Sequence, residues 1–529
     1  MNKLMKNLAL PPTWLRFIVI SLLLVGIFFR VFNLDQKVYW IDEAYTSLRI
    51  SGYTEAQMIQ QVFDGHVVSL EELQKYQRPH SETGIAGTLN SLAESPQHPP
   101  LYYLMARFWV QWFGHSVATP RSLSALISLF VFPCLYWLCL ELFKSPLVGW
   151  VALMLMAVSP FHVLYAQEAR PYSLWAVATL LSSAALLRAI RLSTTLNWSI
   201  YAATLTLGFY SFIFSGFVAI AHGIYVVVSE SYRWTKTVRA YLLASLASLI
   251  AFSPWLWVIA ANITQVHDTA AWTSKNLAFE RLVQRWLIRC SNVFFDLNQG
   301  HKFFSPSTLI IVVLVFYSIY FLCRHTQKPV WLFILTLIGV PALALILPDV
   351  ILGGLRSTNA RYFMPCYLGI QLSVAYCIAT QLVIAKTHLQ QKLWQLTLIA
   401  LISGGILSCG VSSQAQFWWN KSPDKHKYNP QIAYLVNQAE KPLLISDDST
   451  VINDSFACRI LSLSYLLAPK VQLQLVTEPN TPQIPDNFSD VFLFSPSESL
   501  VQRIEKEQNY KTQLAFNRDN FWLWKLIRN

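Results

Sequence analysis

The chain has 529 residues, of which 54% are apolar and only 13% charged, about half the charged share of a soluble domain. One soluble core rarely grows past roughly 250 to 300 residues, so length and composition together exclude a single compact globular domain and point to lipid as the solvent. The net charge of +12 does not mark a nucleic-acid binder, because Lys and Arg fall in small groups between long apolar runs, as in polytopic membrane proteins.

A membrane-crossing helix needs about 20 mostly apolar residues. The first run, 14–34, follows Lys3 and Lys6 and has Arg16 at its start, and Phe28-Phe29-Arg30 offers no small-residue cleavage site, so the run is expected to remain as a first span. A long loop over 35–120 closes with an aromatic segment, 98–114, whose central Arg107 predicts an interfacial helix and not a span. Further uncharged runs lie at 122–140, 147–164, 171–187, 240–261, 307–323, 329–348, 362–385 and 393–412. The uncharged stretch between Arg191 and Glu230 has room for two short helices turning near Tyr210-Ser211. The expectation is therefore a polytopic α-helical membrane protein of about eleven spans.

With 98–114 kept at the interface, one side collects Lys3, Lys6, Arg16, Lys144, Arg188, Arg191, Arg233, Lys236, Arg239, Arg324, Lys328, Lys386 and Lys392. The positive-inside rule makes that side cytoplasmic and places the N-terminus there. The loop 35–120, a second long loop over 262–306 and the tail after 411 then lie outside a bacterial-type cytoplasmic membrane. The division is a membrane module over 1–411 and an extracytoplasmic domain over 412–529. In the tail, apolar runs at 443–445, 471–475 and 491–494 alternate with helix-like stretches at 456–467 and 499–508, the pattern of a small α/β domain. The eight cysteines show no metal-ligand spacing, and no disulfide framework is expected.

Carboxylates are scarce, so those near a membrane face are informative. Asp42 and Glu43 sit within Tyr39-Trp40-Ile41-Asp42-Glu43-Ala44-Tyr45, just beyond the first run. One reading is a general base with its pKa raised by partial desolvation; the other is a helix N-terminus whose acids favour the dipole. Adjacent helical residues point about 100° apart, so the two acids do not share a face. Tyr165-Ala166-Gln167-Glu168-Ala169-Arg170-Pro171-Tyr172 is a polar knot between two apolar runs. A capped turn explains part of it, with Glu168 paired to Arg170 and Pro171 starting the next helix, but the amount of polar surface favours function.

Cations form a third group. Arg356 precedes Arg361-Tyr362 at a span mouth, and the spacing of Arg281, Arg285 and Arg289 puts them on one face of an amphipathic helix over 277–295. Such a helix is expected at headgroup level, where attraction to anionic lipid is the common explanation. A guanidinium such as that of Arg361 grips a phosphate bidentately. His98, ahead of Pro99-Pro100, reads as a second base, a substrate contact or the cap of the interfacial helix. Asp447-Asp448 follows a strand and reads as a turn, not a metal pair.

In chain order, the acidic pair, the His-Pro-Pro helix, the Gln-Glu-Ala-Arg-x-Tyr turn and the late Arg-Tyr resemble the membrane-embedded GT-C glycosyltransferases. The nearest group looks like the bacterial relatives of protein O-mannosyltransferases and of the lipid A aminoarabinose transferase. The likeness covers roughly residues 10–410, and the tail carries no assignable motif. It implies transfer of a hexose or pentose from a polyprenyl-phosphate donor to an acceptor hydroxyl on the external face, usually with inversion. The acceptor class is open among protein, glycolipid and polysaccharide.

By this resemblance Asp42 matches the first acid of the family's loop motif, as base or acceptor-positioning residue, and Glu43 matches the second, as a structural group. Arg361 and Tyr362 fall where relatives hold the carrier phosphate, with Arg356 and Arg285 as further donor-phosphate candidates. His98, Gln167, Glu168, Arg170 and Tyr172 are assigned to acceptor contact or structural support. The His-Tyr that relatives often carry after the fifth span is replaced by Phe209-Tyr210-Ser211-Phe212, so any role of that His is absent or moved.

The chemistry agrees with the inventory. A departing polyprenyl phosphate needs a cation and the attacking hydroxyl needs a carboxylate, so the scheme requires no cofactor or metal, and no ligand cluster demands one. The expected partners are the lipid-linked donor, membrane lipid and a hydroxyl acceptor, without nucleic acid. Two other classes compete. A transporter or flippase of lipid-linked sugars is expected to show matching halves and midplane charges, which this sequence lacks. A receptor or assembly scaffold accounts for the tail but leaves the external acids unexplained.

Overall fold

The computed structural model describes residues 13–80, 83–298, 305–448, 456–519 and 521–528. Lys3 and Lys6 lie outside the described residues. Two compact units emerge: Met1–Leu34 with Ser95–Tyr102 and Arg121–Gln414, and Asp35–Glu94 with Tyr103–Pro120 and Ala415–Asn529. The division differs from the one read from the sequence, because most of the first long loop groups with the tail instead of with the apolar helices.

The first unit is built from α1 (Thr13–Val31), α2 (Ala118–Phe143), α3 (Pro146–Ala157), α4 (Pro160–Ala166), α5 (Tyr172–Leu192), α6 (Thr195–Ser211), α7 (Ser215–Ser229), α8 (Lys236–Ala261), α9 (Phe279–Ser291), α10 (Pro306–His325), α11 (Lys328–Ile351), α12 (Met364–Ile384) and α13 (His388–Gln414). Among the described residues, seven helices are long and apolar enough to cross a membrane, and the bent pair α3–α4 makes an eighth. This narrows the expected eleven. The remaining runs do form helices, with the turn expected near Tyr210-Ser211 falling at 212–214. However, α6 and α7 have only 17 and 15 residues, short of the roughly 20 that a hydrocarbon core of about 30 Å requires. The third, α1, begins at the edge of the described residues. Lys144, Arg191, Arg233, Lys328 and Lys386 all lie at or beside alternate connections in this order, and the turns at 167–171 and 352–363 lie in the other set.

The break between α3 and α4 organises this unit. Pro160 lacks an N–H and its ring crowds the preceding turn, so the helix bends by 60° and backbone carbonyls lose their partners. In a bilayer such groups must be satisfied by the protein itself. Arg30, fully buried on α1, supplies the donors: Nη1 donates to Ala157 O at 2.8 Å and Nη2 to Met156 O at 3.0 Å. Two glycines admit the flanking helices. A Cβ on Gly26 of α1 would lie 2.5 Å from Ala157 O, and one on Gly405 of α13 would lie 2.4 Å from Val158 O.

The expected amphipathic helix is α9, and it corrects one expectation. Arg281 is exposed and Arg285 half-buried, but Arg289 is buried, so the three arginines do not all sit at a headgroup surface. Residues four apart drift by about 40° per step on a helix of 3.6 residues per turn, and two steps carry Arg289 round to the protein side.

The second unit centres on a six-stranded sheet of order β1-β3-β2-β4-β6-β5. The strands are β1 (Asp64–Ser69), β2 (Pro442–Asp448), β3 (Gln472–Thr477), β4 (Asp490–Phe494), β5 (Tyr510–Arg518) and β6 (Phe521–Arg528). The central strands β2, β3 and β4 pair in parallel and β1 joins antiparallel to β3, so the first loop contributes an edge strand to the sheet of the tail. Leu443, Ile445, Leu493, Leu500 and Ile504 form its core, with the last two on the helix Glu498–Glu507.

The segment expected at the interface is the helix Leu101–Phe113, 13 residues long. Arg107 does not face lipid: within the second unit its Nη1 donates to Ile50 O at 2.7 Å and to Thr88 Oγ1 at 3.1 Å, and its Nη2 donates to His80 O at 2.6 Å. Burial lowers its pKa.

Candidate active site

Within the second unit, the acidic pair opens the helix Ile41–Ser51 at its first turn. The two carboxylates diverge as the helical angle requires. Glu43 is fully buried and pairs with Lys421 Nζ at 3.0 Å, and that ammonium also lies over the Trp40 ring. Asp42 is half-buried, and of the eleven residues in the helix only Asp42 and Tyr45 escape full burial. Asp42, Tyr45 and Arg49 follow an i, i+3, i+7 spacing along one face. Tyr45 OH donates to Glu55 Oε2 at 3.0 Å, and Arg49 lies over the Tyr45 ring. Burial pushes the Glu55 carboxyl up to about 7, with Tyr45 and Arg49 opposing the rise and Asp448 and Glu94 adding to it. Sequence reading missed Glu55, Lys421 and His426, because nothing in the spacing of residues this far apart announces that they meet.

Within the first unit, the polar knot forms the turn between α4 and α5. Gln167 plays a structural part, since its Nε2 donates to Phe29 O at 2.8 Å and Phe32 O at 2.9 Å, closing the end of α1. Glu168 and Arg170 are buried. Ser124 Oγ donates to Arg170 O at 3.3 Å and shares a hydrogen bond with Tyr102 OH, which fixes the backbone of the turn. The guanidiniums of Arg170 and Arg361 each lie 5.9 Å from the centre of the Tyr172 ring, and that of Arg361 lies 5.4 Å from the Tyr362 ring.

Arg361 enters from a short 3-10 turn, Ala360–Phe363, ahead of α12. Glu168, Arg361, Tyr172 and Arg289 all act electrostatically on the Tyr165 hydroxyl, which places them around one locus. Burial lowers Arg289 to about 10, with Asp296 opposing the drop, so it stays cationic near pH 7. Three guanidiniums, of Arg170, Arg289 and Arg361, against two carboxylates, of Glu168 and Asp296, leave an excess of positive charge on an aromatic floor. Phe212, in the turn that lacks the His-Tyr pair, extends that floor at 5.8 Å from Tyr172 and 6.2 Å from Tyr362.

The other expected residues land elsewhere. Arg356 Nη1 pairs with the buried Asp349 at 3.2 Å, and Asp349 Oδ2 also accepts from the N–H and Oγ of Ser357 at 2.6 Å each. Gly354 allows this close turn, since a Cβ there would lie 2.4 Å from Asp349 Oδ1. Arg285 is half-buried, next to Trp286, whose Nε1 donates to Ser357 Oγ at 3.0 Å. His98 is half-buried in a turn closed by its N–H to Ser95 O. Asp447 and Asp448 lie in β2 and not in a turn, and Asp447 accepts from the N–H of Ser497, whose Oγ caps the helix Glu498–Glu507 by accepting from the Leu500 N–H. Among the described residues no group of three or more His, Cys, Asp or Glu is placed to hold a metal ion.

Residues 97–258 match the family described as dolichyl-phosphate-mannose-protein mannosyltransferase, a segment that contains His98 and the turn at 167–171 but neither Asp42 nor Arg361. Among solved structures, ArnT from Cupriavidus metallidurans bound to undecaprenyl phosphate aligns with a TM-score of 0.56 at 11% identity, covering 97% of this chain and 98% of that one. The fold is that of the GT-C glycosyltransferases. The apo state of ArnT gives a TM-score of 0.54 at 10% identity over 97% and 98% of the two chains. Comparison with curated proteins by sequence finds no match. The GT-C likeness in fold extends through the tail, where the sequence carries no motif of the family.

Proposed function

We propose that this protein is an integral-membrane glycosyltransferase that moves a hexose or pentose from a polyprenyl-phosphate donor to an acceptor hydroxyl. The observation that carries the reading is the arginine cluster on Tyr172, a cationic and aromatic locus at the rim of apolar helices, suited to the phosphate of a lipid-linked donor. The match of residues 97–258 to a family named for a lipid-phosphate sugar donor supports it, and so does the fold shared with a transferase solved with undecaprenyl phosphate.

In this scheme Arg361, with Arg170 and Arg289, holds the donor phosphate beside Tyr172 and Tyr362. The Asp42 carboxylate accepts the proton of the acceptor hydroxyl, whose oxygen attacks the anomeric carbon. The bond from that carbon to the phosphate oxygen breaks, and polyprenyl phosphate leaves with the electron pair, giving inversion. Glu43, neutralised by Lys421, supports the helix and takes no proton. Arg356 is committed to Asp349 and serves the turn. The reaction faces the extracytoplasmic side, with the N-terminus cytoplasmic, and needs no metal.

The test is release of sugar from polyprenyl-phosphate sugar by the purified protein. A general base contributes about 10²- to 10⁴-fold, so Asp42→Asn is expected to lower kcat by at least about 10²-fold. Full activity in that variant removes Asp42 from its role.

A further inference from the structure

Three consecutive residues lead into the helix that carries Asp42, and the tail holds each of them. Ser462 Oγ donates to the carbonyl of Tyr39. Trp40 receives the Lys421 ammonium on its ring, and its N–H lies 3.5 Å from Glu43 Oε2, the same oxygen that pairs with Lys421. The N–H of Ile41 donates to His426 Nε2 at 3.1 Å. An N–H of the first helical turn has no partner within its own helix, so an acceptor placed there fixes where the helix begins.

His426, Ser462 and Tyr39 form a relay, with the Asn429 side-chain amide 3.4 Å from both His426 Nδ1 and Ser462 Oγ. Nε2 accepts from Ile41, so Nδ1 carries the proton and faces Ser462 Oγ at 3.2 Å, and that hydroxyl in turn donates to Tyr39 O. The relay requires a neutral imidazole. Burial, with Arg459, Lys425 and Lys421 adding to it and Glu43 opposing, holds His426 well below its usual pKa. Lys421, Glu43 and His426 are all fully buried, so none of them touches solvent or a substrate directly.

Resting on the reading of Asp42 as the base, we infer that His426 and Lys421 are positioning residues. They set the start of the Ile41–Ser51 helix and thereby aim the one carboxylate of the pair that is left half-open. One role of the tail is then to complete the catalytic helix of the first loop. A base displaced by about 1 Å loses roughly 10²-fold in rate. The effect belongs in kcat, because the donor is held by other residues.

The experiment uses the full-length protein in detergent or nanodiscs, measuring kcat and donor KM together with hydrogen exchange at the amides of residues 39–45. His426→Ala is expected to lower kcat about 10²-fold with donor KM changed less than twofold, and to speed exchange at Ile41. His426→Gln, whose carbonyl can accept the same N–H, is expected to restore most of both. Lys421→Met is expected to lower kcat in the same pattern. If His426→Ala does not accumulate as folded protein, Ser462→Ala, which removes the relay partner, carries the same expectation.

Inactive Asp42→Asn beside fully active His426→Ala and Lys421→Met overturns the positioning role and leaves the base assignment standing. Equal loss in His426→Ala and His426→Gln, with exchange unchanged, also overturns it. Full activity in Asp42→Asn defeats the base assignment itself, and the positioning role with it.

Discussion

Asp42 and Glu43 are neighbours in sequence and opposites in environment. Glu43 is enclosed with an ammonium, while Asp42 is on the face shared with Tyr45 and Arg49. Removing one member of a buried pair leaves the other charge unpaired at a cost of about 3–5 kcal/mol, whereas replacing both by apolar groups is often near neutral. Glu43→Gln is therefore expected to lower the unfolding free energy by about that amount, and Glu43→Leu combined with Lys421→Met to recover most of it, as read by thermal or denaturant unfolding. The arginines separate in the same way. Arg361→Gln is expected to lower kcat/KM for the donor by about 10²-fold, the scale of losing one charged donor to a developing anion. Arg356→Gln, at a partly exposed pair with Asp349, is expected to change it by less than roughly threefold.

At this scale the sequence singles out Asp42, Arg361 and the knot around Glu168, because charge is conspicuous in an apolar chain. It is silent on what neutralises Glu43, since Lys421 lies 378 positions away.

Among the elements, the break between α3 and α4 is what helix-length arithmetic does not reveal. The run at 147–164 reads as one uniform apolar helix, yet Pro160 divides it, and the freed carbonyls are met by an arginine 126 and 127 positions earlier. Gly26→Ala is expected to lower stability by about 1–3 kcal/mol, the range for an overpacked site, because its Cβ would press on backbone that has no room to yield. Arg30→Met is expected to cost at least as much, removing the donor to the buried Ala157 carbonyl and leaving Met156 O with backbone contacts such as the longer one from Ser159 at 3.5 Å. Melting temperature in a fixed detergent checks both. The strands divide along similar lines. β2 and β4 are legible from short continuous apolar runs, and β3 from the alternation Gln-Leu-Gln-Leu, because all three are central and covered. β1, with the sequence Asp-Gly-His-Val-Val-Ser, is an exposed polar edge, and nothing local distinguishes it from loop.

For the whole molecule, His426 ties pH to the second unit. Its folded pKa is depressed, so it contributes stability that is fully present above the unfolded value of about 6.5 and is lost as pH falls below it, by up to about 1.4 kcal/mol per unit. The stability advantage of the wild type over His426→Gln is expected to shrink as pH drops from 7 to 5. Denaturant unfolding of both proteins across that range tests it, and the opposite titration of Glu55 is common to both and cancels in the difference.

Because β1 pairs with β3, the sheet of the second unit cannot close until nearly the whole chain exists. Gln77 donates to Leu461 O across 384 positions. At roughly 5–20 residues per second of synthesis, the first loop therefore waits tens of seconds for its partner strand. During that wait it presents an unpaired strand and an acid helix without its anchors. A chain released by a premature stop between Gln414 and Lys421 would carry its apolar helices and still lack Lys421, His426 and Ser462, the anchors of the helix that holds Asp42.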